Sequence, residues 1–196
     1  MAILDPELTV GVPPHITAAT GLDALVHAIE AATNRHRTDG NDLYALKAIS
    51  LISENLERAV KNPNDIEARG ALLLGSCYGG IAIDNCGTAL AHNISHAMAD
   101  LAPIPHGRAT GLAMLATMKW VSQGASEAYA RVAKAMSAAD PVIAYDRLVR
   151  ATARLSSTEV TTVMPKLFMN CPGMPPIRPT GRNTATIEKV VATTAR

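Results

Sequence analysis

Apolar residues recur along this chain at helical spacing, and no alternation is sustained over several strands. An extended lead-in over residues 1–14 ends at Pro13-Pro14. Beyond it, Leu22, Leu25, Val26, Ile29 and Ala32 form one stripe of a helix over ITAATGLDALVHAIEAATN. Polar residues through Thr38-Asp39-Gly40-Asn41 predict a loop. A second helix carries Leu43, Leu46, Ile49, Ile52 and Leu56 on one face, with Lys47, Glu54 and Arg58 elsewhere. Asn62-Pro63-Asn64-Asp65 predicts a turn that supplies a helix cap from Asn64 or Asp65. A third helix, over residues 66–83, carries Gly70, Gly75, Gly79 and Gly80. Glycine costs about 1 kcal/mol against alanine inside a helix, so these positions predict close packing or a kink.

Further helices are predicted over residues 88–99, 106–121, 127–136 and 141–154, the last with Pro141 in its first turn. Residues 155–169 are ambiguous: β-branched residues suggest a strand, whereas Pro165 and its surroundings favour a short broken helix. Residues 171–183, rich in Pro and Gly, read as loop, and 186–194 as a last short helix. No repeat period is present. The expected architecture is an all-α helical bundle, one domain over residues 1–196.

Composition agrees. The 196 residues are 48% hydrophobic but only 3% aromatic, so a core must come from Ala, Leu, Ile, Val and Met, which suits closely packed helices. Net charge is +1 with no block of like charge, which points to neither nucleic acid nor an anionic membrane. Arg35-His36-Arg37 reads as a solvated loop. No apolar run is long enough to span a bilayer, and MAILDPELTV lacks a cleavable signal pattern. Cys77, Cys86 and Cys171, odd in number and unrelated in spacing, read as reduced core residues of a cytoplasmic protein.

The chemistry concentrates in HNISHAMADLAPIPHG, residues 92–107, with three of the six histidines. His92 and His96 are spaced i, i+4, so on a helix their Cβ atoms lie about 5–6 Å apart. His106 would be roughly 21 Å further along one straight helix. Pro103 and Pro105 interrupt it and allow the chain to turn back. In the first helix Asp23 and His27 are also spaced i, i+4 and could chelate one cation. Carboxylate with imidazole suits a divalent first-row metal better than Mg or Ca. Each residue also has a plainer reading: an acid and a half-buried histidine on the first helix, a polar stripe on the later one. Glu30 reads as a surface acid or as a carboxylate supporting the ligands from behind. Met98, Met114 and Met118 read as core filler, and His15 and His36 as loop residues.

The run TAATGLDALVHAIE (residues 17–30) and the run NCGTALAH (residues 85–92) resemble the signatures of the iron-containing (group III) alcohol dehydrogenases. The His92-x3-His96 pair and the Ile104-Pro105-His106-Gly107 segment extend the resemblance, which covers residues 5–135 well. The resemblance implies the helical C-terminal domain of that family, with the dehydroquinate synthase-like fold. It implies Asp23, His27, His92 and His106 as metal ligands and His96 as a nearby catalytic histidine in proton transfer. The implied metal is Fe2+, with Zn2+ or Ni2+ as alternatives, and the implied reaction interconverts an alcohol with an aldehyde or ketone using NAD(P).

Members of that family carry an N-terminal nucleotide-binding domain with a glycine-rich turn. Here no strand followed by such a fingerprint occurs. Gly75-Ser76-Cys77-Tyr78-Gly79-Gly80 comes nearest but lies in a helical stretch. The expectation is therefore a metal-binding domain without its cofactor domain, binding NAD(P) only if that domain is supplied. Self-association or a partner cofactor domain would cover the exposed apolar face. The alternative is a non-catalytic helical metal-binding or dimerisation module.

Overall fold

A chain that opens a helix with proline loses nothing, because the first N–H groups of a helix have no partner within it. Pro14 takes that position in α1 (Pro14–Thr33). The computed structural model of the protein describes residues 2–99 and 104–152. The expectations for residues 155–169, 171–183 and 186–194, and for Cys171, fall outside them. After α1 come α2 (Asp39–Lys61), α3 (Ile66–Asp84), α4 (Leu90–Ala99), α5 (His106–Gly124), α6 (Ser126–Ala135) and α7 (Pro141–Thr152). Among the described residues there is no strand, so the all-α expectation holds. No helix among them is long and apolar enough to cross a membrane.

Helix α1 runs through the centre and packs against α2, α3, α5, α6 and α7, while α4 packs on α5. The predicted stripe of Leu22, Leu25, Val26 and Ile29 is buried, but so are Ala18, Ala24, Ala28, Ala31 and Ala32 around the circumference. Alanine contributes little to a hydrophobic stripe, yet it admits neighbouring backbones on every side. Gly79 extends this: a Cβ there would lie 3.1 Å from the carbonyl oxygen of Ala24, so α3 and α1 meet backbone to backbone. Met98, Met114 and Met118 are buried, as a core poor in rings requires. Tyr145, fully buried, donates its hydroxyl to the Gly111 carbonyl at 3.2 Å and joins α7 to α5.

Three local expectations change. Within the extended lead-in, Pro6–Thr9 form a 3-10 turn capped by Asp5, whose carboxylate accepts the Glu7 N–H at 3.0 Å. Residues 39–41 are the first turn of α2 rather than a loop. Thr38 accepts the Asn41 N–H at 3.3 Å, and Asp39 and Asp42 favour the positive end of the helix dipole. Asp65, not Asn64, caps α3, accepting the Ala68 N–H at 3.0 Å. That hydrogen bond is the main reason its carboxyl is held below the usual range. Cys77 and Cys86 are free thiols.

Candidate metal centre

Asp23 and His27 project from one face of α1, as their spacing predicts, with the His27 Nδ1 4.0 Å from Asp23 Oδ2. Helices α4 and α5 bring the other histidines to that face. His92 Nε2 stands 3.7 Å from Asp23 Oδ1, and His106 Nε2 stands 3.5 Å from the same oxygen. Asp23, His27 and His92 each offer a donor atom within 4.8 Å of the others. The rings of His27 and His92 stack with centroids 4.4 Å apart.

His92 is buried, whereas the side chain of His106 is 49% exposed, so the cluster is closed on the protein side and open on the other. His96 is exposed at the open side, its ring stacked on His106 with centroids 5.3 Å apart and 6.3 Å from that of His92. Burial holds the His27 imidazole below its ordinary pKa, against the upward pull of Asp23. A neutral imidazole is the form that can ligate a metal.

Two atoms test whether this cluster fits a cation. Among the described residues, Asp23 Oδ1 and His92 Nε2 are buried and have no hydrogen-bond partner. A buried polar atom without a partner costs on the order of 1–3 kcal/mol, so such atoms are rare unless something else engages them. Two donors bound to one ion at about 2.0–2.2 Å lie roughly 2.9–3.5 Å apart. The spacings of 3.5 and 3.7 Å around Asp23 Oδ1 come close to that range. The donor chemistry, one carboxylate with imidazoles, suits a divalent first-row ion. The residues fit the group.

Supporting contacts hold both histidines at the atom turned away from Asp23. His92 Nδ1 is 2.7 Å from Glu30 Oε2, and His106 Nδ1 is 3.2 Å from the buried Ser95 hydroxyl. Thr110 Oγ1 lies 2.9 Å from both Ser95 Oγ and the His106 carbonyl oxygen. Glu30 is only 3% exposed, so it is no surface acid. The sequence left it between a surface acid and a carboxylate behind the ligands, and nothing in the sequence marked Ser95 or Thr110. A cleft of about 150 Å³ between α1 and α3, bordered by Thr17, Thr20, Arg69 and Ser76, touches none of the four candidate ligands. It is not the cation position.

Comparison with known proteins gives a consistent result. The family model described as "Fe-containing alcohol dehydrogenase family, C-terminal" matches residues 17–161. A 1-propanol dehydrogenase of Salmonella typhimurium is 41% identical over 138 residues, 69% of this chain and 37% of that protein. An NAD-dependent methanol dehydrogenase of Bacillus methanolicus is 45% identical over 107 residues, 55% of this chain and 28% of that protein. The chain thus spans about a third of the length of the curated relatives it matches. The crystal structure of a sulfoacetaldehyde reductase of Bifidobacterium kashiwanohense in complex with NAD+ superposes with a TM-score of 0.72. It is 26% identical, with 97% of this chain and 53% of that chain covered.

Proposed function

The chain belongs to the iron-containing alcohol dehydrogenase family, and on that premise we propose that it is the metal-binding catalytic half of an NAD(P)-dependent alcohol dehydrogenase. Asp23, His27, His92 and His106 would hold a divalent ion, ferrous iron first and zinc or nickel next. The observation that carries this reading is the pair of partnerless buried atoms, Asp23 Oδ1 and His92 Nε2, facing each other at 3.7 Å.

When bound, the ion would supply Lewis acidity toward the oxygen of an alcohol, aldehyde or ketone, with NAD(P) as hydride carrier. The chain's own residues divide the remaining work. Buried His92 and the partly exposed Asp23 close the inner side. His106, half exposed, leaves the outer side accessible to a small substrate. His96, exposed beside His106, takes a proton from the substrate side and returns it to solvent, the task for which imidazole is suited near neutral pH. The nucleotide would be held by a cofactor domain.

Elemental analysis tests the metal reading. Protein purified without chelator, or reloaded anaerobically with Fe2+, is expected to carry close to one equivalent of divalent metal. Metal far below stoichiometry after anaerobic reloading with Fe2+, Zn2+ and Ni2+ in turn would sink it and leave a helical module without this chemistry.

A further inference from the structure

A carboxylate buried as deeply as that of Glu30 needs its lone pairs occupied, or its burial would be strongly unfavourable. Here Oε1 accepts the Ala91 N–H at 2.7 Å and Oε2 accepts the Ala89 N–H at 2.8 Å. Both amides belong to the start of α4, where the helix leaves N–H groups without internal partners and favours negative charge. Glu30 thereby anchors the helix that carries His92, from a distance of about sixty residues along the chain. With amide donors on both oxygens, the carboxylate is left to accept from its third neighbour, His92 Nδ1 at 2.7 Å.

A neutral imidazole has one N–H and one lone pair. If Nδ1 carries the hydrogen, the lone pair sits on Nε2, the atom that faces Asp23 Oδ1 without a partner. We propose that Glu30 is a positioning residue that fixes His92 as the Nδ1-protonated tautomer and so presents Nε2 as a metal donor. This rests on the metal reading above. The contact from Ser95 to His106 cannot do the same, because a hydroxyl donates or accepts equally well. An acceptor with no hydrogen of its own dictates which nitrogen keeps the hydrogen. The Glu30 carboxylate stands at hydrogen-bond distance from His92 Nδ1, whereas Asp23 lies beyond that distance from Nε2.

The experiment has two arms. In the first, nitrogen-15 shifts of the histidine rings are recorded in the metal-free protein at a pH where His92 is neutral. His92 is expected as the Nδ1–H form. In Glu30→Ala it should shift toward the Nε2–H form, and in Glu30→Gln, whose amide oxygen still accepts, it should keep Nδ1–H. In the second arm, Zn2+ and Fe2+ affinities are measured by chelator competition. Glu30→Ala is expected to bind about 10–100-fold more weakly than wild type, with Glu30→Gln between the two. An Nε2–H form in the wild type overturns the proposal, and this readout stands even where Glu30→Ala fails to fold. A folded Glu30→Ala with wild-type affinity overturns it as well. A wild type that binds neither ion, yet shows His92 as Nδ1–H, would instead sink the metal reading and leave the tautomer assignment standing.

Discussion

Asp23→Ala is expected to abolish metal binding while leaving the metal-free fold at least as stable as before. Asp23 Oδ1 is the oxygen toward which both His92 Nε2 and His106 Nε2 point, at 3.7 and 3.5 Å. Losing a group that merely supports a ligand weakens metal affinity by about 10–100-fold, so losing the shared ligand should exceed about a hundredfold. The metal-free protein meanwhile sheds a buried oxygen with no hydrogen-bond partner, an atom that opposes folding. Thermal unfolding with and without metal separates the two effects. An ion at a hundred times its dissociation constant adds about 2.7 kcal/mol. For a chain of this length that raises the wild-type midpoint by roughly 5–11 °C. Asp23→Ala should show no such rise, and a variant that gains the same number of degrees as wild type would exclude Asp23 from the site.

Gly107→Ala should be the most destabilising small substitution in α5. A Cβ at Gly107 would overlap the carbonyl oxygen of Ala19 and lie 2.9 Å from its carbon and 3.2 Å from the Asp23 Cβ. Those first two atoms are backbone, so no rotamer change relieves the overlap, and α5 must back away from α1. Overpacking costs about 1–3 kcal/mol, and a backbone clash belongs at the upper end. The midpoint should fall by roughly 6–12 °C. His106 adjoins Gly107 in the chain, so the same displacement carries its Nε2 away from Asp23 and weakens metal affinity. Gly80→Ala supplies the control, since a Cβ there meets nothing within 4 Å and the exposed helical position should gain stability. If Gly107→Ala melts no lower than Gly80→Ala, the close approach of α1 and α5 is not what positions His106.

Helices, their approximate limits and the pairing of Asp23 with His27 were legible in the chain, because each depends on neighbours within one or two helical turns. The first turn of α2 at Thr38 was not legible for the opposite reason. Gly40 beside polar residues looks like a loop until Asn41 is seen to donate its side-chain N–H to the Ala82 carbonyl at 3.2 Å, a contact to α3 that helps hold the first turn. The two signature runs identified the family from local spacing alone.

What the sequence by itself determined, then, is which residue types stand at helical intervals, because the period of a helix is a property of the backbone. Only the tertiary structure decided which of those residues share an environment. It buried Glu30 against the start of α4, placed Ser95 and Thr110 behind His106, and left His96 exposed beside it. An acid seven residues after Asp23 reads the same on a solvated face as in a core. Burial and partner are settled by helices dozens of residues away, where α4 and α5 close on α1 and leave two donor atoms facing each other without a hydrogen bond.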